Sequence, residues 1–154
     1  MNKIIKTTFV LGMAAFMVTG CEFIEYKQVE YDEWHEKVAN LPDSPTATKI
    51  VISGKADGKV IDIVYKDGAL TEELTEEETG VVLIIGLASG SALKEIKESA
   101  NAKYYVGQLW KSGYKLYDED DSGEHTITWD KYGNMLSYKD KSANFTAKYT
   151  YEEE

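Results

Sequence analysis

Arginine is absent from this chain. Its guanidinium fork is the usual bidentate clamp for phosphate and carboxylate, so phosphate-handling chemistry lacks its commonest tool. Cysteine occurs once, as Cys21, and a single cysteine closes no internal disulfide. Histidine occurs twice, as His35 and His125. With so few soft ligands a His/Cys zinc centre is not expected, and no second histidine follows His35-Glu36 four residues on, as the zinc-protease helix requires. The Gly-x-Ser-x-Gly nucleophile turn is also missing, because Ser89 stands three residues after Gly86. No glycine-rich phosphate loop occurs. No apolar run approaches the roughly 20 residues of a membrane-spanning helix. These absences argue against most enzymes. No catalytic residue, cofactor or metal site is expected.

Charge is lopsided. Acidic residues number 27 against 17 basic ones, giving −10 over 154 residues. A field of that sign repels nucleic acid and anionic lipid headgroups, so nucleic acid is not an expected partner. The length suits one domain with a core that needs no staples.

The first residues carry a different pattern. Lys3 and Lys6 precede a 12-residue apolar stretch from Thr7 to Val18, which ends in Val18-Thr19-Gly20-Cys21. A positive start and a short apolar segment have the form of a secretory signal peptide. The final four residues resemble the bacterial lipobox: an aliphatic residue, two small residues and a cysteine. The resemblance implies cleavage before Cys21 and acylation of its thiol, leaving a chain more acidic by the loss of Lys3 and Lys6. Two or three acyl chains anchor a protein stably, at about 0.8 kcal/mol per buried methylene. The implied location is extracytoplasmic, lipid-anchored to the cell membrane, or to the outer membrane of a two-membrane cell. Glu22 is not the aspartate that retains lipoproteins at the inner membrane. The division is therefore residues 1–20 as signal peptide, 21–30 as lipidated tether and 31–154 as a single domain.

Within that domain, Trp34, Val38 and Leu41 share one helical face over 31–41, with Asp32 as the expected N-cap. Pro42 and Pro45 end the helix. Residues 47–66 alternate around Asp57-Gly58, a strong hairpin signal, and Asp67-Gly68 offers a second turn. Thr75-Glu76-Glu77-Glu78 reads as a capping box. It opens two expected helices, 74–86 and 91–100, with a buried strand over Val81–Ile85 as the alternative. Residues 103–152 read as an antiparallel meander with turns at Ser112-Gly113, Ser122-Gly123 and Gly133-Asn134. Its last strand is the clearest, with Phe145, Ala147, Tyr149 and Tyr151 on one face.

The expected fold is α+β: a curved antiparallel sheet of about seven strands, with an N-terminal helix and central helices packed on one face. The element order is similar to that of half-barrel lipid-carrier lipoproteins. Asp130-Lys131-Tyr132-Gly133 resembles a turn found late in small uncharacterised lipoproteins of Gram-positive bacteria. Neither resemblance carries a functional residue.

Two further constellations bear on function. Asp118, Asp120, Ser122 and Gly123 match the start of a calcium loop, but Trp129 stands where the bidentate glutamate belongs. The loop reads as a solvated hairpin turn, with calcium binding left open. Tyrosines crowd the C-terminal half, where they serve strand packing or form a recognition face. The expected function is a membrane-anchored, non-enzymatic surface binding module for a protein, glycan or lipid. The alternative is a carrier of an apolar ligand, with a cavity between residues 81–93 and the sheet lined by Ile50, Ile52, Ile61, Ile63 and Leu136.

Overall fold

The computed structural model describes residues 26–108 and 113–152. In chain order the elements are β1 (Tyr26–Val29), α1 (Tyr31–Val38), β2 (Ala47–Ala56), β3 (Lys59–Lys66), β4 (Ala69–Leu70), α2 (Glu76–Leu87) and a 3₁₀ helix (Gly90–Glu95). The meander follows as β5 (Lys103–Gly107), β6 (Tyr114–Asp120), β7 (Gly123–Trp129), β8 (Met135–Lys139) and β9 (Ala143–Tyr151). All nine strands form one antiparallel, open sheet in the order β1-β5-β6-β7-β8-β9-β2-β3-β4.

Local chemistry sets the turns. Asp57 and Gly58 both take positive φ, 51° and 78°, as a tight hairpin turn demands. Asp67 and Gly68 repeat the device at 52° and 89°, turning β3 into β4. α2 starts at the expected capping box. The Glu78 N–H donates to Thr75 Oγ1 at 3.1 Å, and the Thr75 N–H donates to Glu78 Oε1 at 3.0 Å. With its start fixed, Val81–Ile85 continues as helix, and Val81 is buried while Ile84 and Ile85 pack on the core.

Glu78 also reaches the sheet. β4 pairs only with Tyr65 and Lys66, which leaves the β3 edge open further along. There the Asp62 N–H donates to Glu78 Oε2 at 3.0 Å. The backbone N–H groups of Thr75 and then Asp62 hold this carboxyl below its ordinary value. A lowered folded-state pKa stabilises the protein above the ordinary glutamate range, and that contribution disappears as pH falls through the folded value. Glu78→Gln is expected to lower the Tm by several degrees at neutral pH, because the amide offers one acceptor where two N–H groups converge. The difference from wild type should shrink on acidification. Thermal scans from neutral to acidic pH measure both effects.

One face of the sheet holds the core. Ile52, Ile61, Ile63, Tyr104, Trp129, Met135, Phe145 and Ala147 pack there against Trp34 and Val38 of α1, Val81 of α2 and Leu93 of the 3₁₀ helix. The helices therefore cover one side and leave the other to solvent.

Several expectations are corrected. The strands number nine rather than about seven. The additional ones include edge strands β1 and β4, four and two residues long, too short to show a period. β1 occupies part of the segment assigned to the tether, because Tyr26–Val29 pairs with Tyr104–Gly107. The helix expected over 31–41 ends at Val38, and its N-cap is Glu30, with Asp32 inside the first turn. Strand β1 fixes that start by holding the backbone extended up to the cap. The helix expected over 91–100 is only the 3₁₀ helix, since Gly90 takes φ 62° and Ile96 is extended. Leu136 falls at a register shift between β7 and β8, and Met135 takes the buried position opposite Trp129.

Candidate functional site

The sequence-based site residue, Cys21, lies outside the described residues, as do the signal segment 1–20 and Trp110. Among the described residues no helix is long and apolar enough to cross a membrane.

The acidic turn is built from separate pairs. Asp120 Oδ1 accepts the Ser122 N–H at 2.8 Å and its hydroxyl at 2.6 Å, and these bonds hold its carboxyl below the ordinary value. Asp118 accepts from Ser99 at 3.5 Å, and Glu124 accepts the Tyr117 hydroxyl at 2.9 Å. That last bond pushes the Tyr117 phenol up to about 12. The carboxylates point to different partners, and among the described residues no three metal-ligating side chains gather. His35 donates through Nε2 to the Lys94 carbonyl at 2.8 Å, a tie between α1 and the 3₁₀ helix.

The Asp130-Lys-Tyr-Gly133 turn is a structural clasp. Asp130 Oδ1 accepts the N–H groups of Tyr132 and Asn134 at 2.9 and 3.0 Å, and Oδ2 accepts the Tyr151 hydroxyl. Asn134 donates to Ser44 Oγ and to the Tyr151 hydroxyl, both at 2.9 Å. The Gly133 carbonyl accepts the Gly90 N–H at 2.8 Å. One turn thus joins the segment after α1, the 3₁₀ helix and the last strand. Burial and the Asp130 contact raise the Tyr151 pKa. Asp130→Ala removes a charged acceptor of three bonds and is expected to cost about 2–4 kcal/mol, read as a lower urea midpoint.

The tyrosines divide the same way. Tyr104 is buried, and Tyr114, Tyr138 and Tyr149 pack on the core. Tyr26, Tyr105 and Tyr117 face outward, together with Lys103 and Lys115. Lys115 Nζ lies 5.1 Å from the Tyr105 ring centre and 5.7 Å from that of Tyr26, while Lys103 lies 5.7 Å from Tyr117.

The register aligns Lys115, Thr128, Ser137, Thr146, Ser53 and Asp62 in one row across β6 to β3. The adjacent row runs through Lys103, Tyr117, Thr126, Lys139, Asn144 and Lys55. Thr128 and Ser137 share a hydrogen bond of 2.6 Å. Lys148 comes from β9, and Lys49 and Lys66 stand directly opposite each other on β2 and β3. In all, seven lysines face outward against three carboxylates, Asp62, Glu119 and Glu124. The other described residues carry twenty carboxylates and seven lysines. The chain is acidic, yet this face is basic. None of its seven lysines lies within salt-bridge distance of a described carboxylate.

Sequence reasoning missed this face. The signal existed strand by strand, as in Lys49, Ser53 and Lys55 at alternate positions. Overall charge concealed it. On the helix side, α2 turns Val82, Leu83 and Leu87 to solvent, at 38, 60 and 79 % exposure. A crevice of about 440 Å³ opens between α2 and the sheet ends, lined by Ala56, Gly80, Val81, Ile84, Asp140 and Ala143 among others.

No protein-family model, curated protein or solved structure matches the chain. The class defined by the coordinates is an open antiparallel α+β domain with a helix-covered core and a lysine- and hydroxyl-bearing free face.

Proposed function

We propose that this chain is an extracytoplasmic lipoprotein, anchored through lipid on Cys21, whose domain is a non-enzymatic binding module. The observation that carries the binding role is the free face of the sheet. Ordered rows of lysine, serine and threonine lie there, with no ion pairs to described carboxylates to explain the lysines. An outward surface of regular rows suits recognition of an extended partner better than the chemistry of a small substrate, which calls for a concave site. The lipobox supports the anchor. Because β1 begins at Tyr26, four residues separate Cys21 from the sheet, and the five steps along the chain reach at most about 18 Å.

The carrier reading has one observation in its favour, the crevice beside α2. Against it, Ile52, Ile61 and Ile63, proposed to line a cavity, are core residues packed with Phe145 and Val81. Two measurements test the proposal. Metabolic labelling with a tagged fatty acid should mark the wild-type protein and leave Cys21→Ser unmarked. Native mass spectrometry of protein from its own host should show the lipidated chain without a second lipid. An unlabelled wild type ends the anchor reading, and a co-purified lipid in the domain ends the module reading in favour of the carrier.

A further inference from the structure

We propose that the lysine face of the sheet docks onto the anionic headgroups of a lipid bilayer, with the acidic helix side turned away. The inference deepens the binding-module reading and takes from it the nearness of a membrane.

The charge arrangement is the first argument. Like charges directly opposite on neighbouring strands destabilise a sheet, yet Lys49 faces Lys66. Lys55 and Lys139 both flank Asn144 across β9. Carboxylates at such positions would have relieved the repulsion, and the chain has many in its helices and turns. With no described carboxylate within salt-bridge distance of Lys49 and Lys66, an anionic surface opposite the face would relieve their repulsion. Lysine is a strongly hydrated point charge that needs no fixed partner geometry, which suits mobile headgroups. Serine and threonine between the lysines add neutral hydrogen-bonding groups that approach phosphates closely.

The position of the face is the second argument. Tyr26 belongs to it and is the first described residue, on edge strand β1. Tyr26 and Tyr105 gather around Lys115, with Tyr117 and Lys103 next to them. Tyrosine is favoured at membrane interfaces, where its ring is part apolar and its hydroxyl wet. The aromatic end of the lysine face thus contains Tyr26, which stands five positions after Cys21 in the chain.

The opposing effect is the net charge of the processed chain, 15 lysines against 27 carboxylates or −12, which repels an anionic surface at a distance. The Debye length at physiological salt is about 8 Å, so charges on the far side of the domain are screened once the face makes contact. Each lysine near an anionic leaflet then contributes roughly a fivefold gain in partition.

The test uses residues 22–154, which contain every core residue and lack the acylated cysteine. It measures co-sedimentation with vesicles of phosphatidylcholine alone and of phosphatidylcholine with phosphatidylglycerol in equal parts. Binding is expected only to the anionic vesicles, and lost in high salt. Lys49→Glu/Lys55→Glu/Lys139→Glu should weaken it by about 100-fold or more. Lys37→Glu/Lys94→Glu/Lys97→Glu changes the net charge equally away from the face and should weaken it far less. Circular dichroism confirms that both variants fold; if the face triple unfolds, the single Lys55→Glu and Lys139→Glu variants replace it. Equal loss in both sets overturns the proposal, as does equal binding to neutral vesicles. Binding to soluble polyphosphate or an acidic polysaccharide without binding to vesicles also overturns it. Failure with vesicles leaves the lipid anchor standing, because this chain lacks Cys21, and an unlabelled full-length chain leaves the face standing.

Discussion

Gly54→Ala is expected to destabilise the domain by about 4 kcal/mol or more. A Cβ at this position would lie 2.2 Å from the Asn144 carbonyl oxygen and 2.6 Å from Phe145 Cα, both backbone atoms of β9. Flexible side chains can yield, but these atoms belong to the ladder of the β2–β9 pair. Relief requires breaking that ladder or moving Phe145, a fully buried core residue. Gly54 also holds φ 148°, which a side chain rarely adopts. Typical domains have only about 5–15 kcal/mol of stability, so most of it would be lost. Gly58→Ala is the control. Its φ is 78° but nothing lies within 4 Å of the added carbon, so the cost should stay near 1 kcal/mol. Urea unfolding of both proteins measures the contrast. Equal midpoints would mean that β2 and β9 are not packed as described.

Trp129→Ala is expected to cost about 3–5 kcal/mol. Trp129 is fully buried, 6.0 Å from Trp34 between ring centres. Its indole N–H donates to the Ala88 carbonyl at 2.6 Å, tying the sheet to the end of α2. Trp34 is equally buried, but its indole nitrogen has no hydrogen-bond partner among the described residues. Phenylalanine at each position separates packing from hydrogen bonding. Trp129→Phe leaves the Ala88 carbonyl orphaned, whereas Trp34→Phe removes an unpaired donor. The Trp129 change should therefore cost about 1–3 kcal/mol more. Comparable losses in denaturant titrations would show that the bond to Ala88 contributes little.

These two sites illustrate why the fold was only partly legible. The buried face of β9 and the turns at Asp57-Gly58 and Asp67-Gly68 follow from local rules, period two and the tolerance of positive φ. So does the start of α2, because Thr75 and Glu78 are close in sequence. The bulge that swaps Leu136 for Met135 was not legible, because the shift depends on how β8 meets β7. The double use of Glu78 was half legible: its helix partner is three residues away, but the β3 edge it closes is defined by the shortness of β4.

By itself, then, the chain determined an acidic composition, the lipobox-like start, the Asp-Gly hairpins, the capping box and the two-sidedness of each longer strand. All of these arise from neighbours a few residues apart. Tertiary structure decided the strand order, the placement of β9 beside β2, and with it which lysines stand next to one another on the free face. The physical reason is distance along the chain. Register between strands nearly a hundred residues apart is set by the packing of Phe145, Ile52 and Gly54 in three dimensions, so a basic surface on an acidic protein emerges only after the sheet has formed.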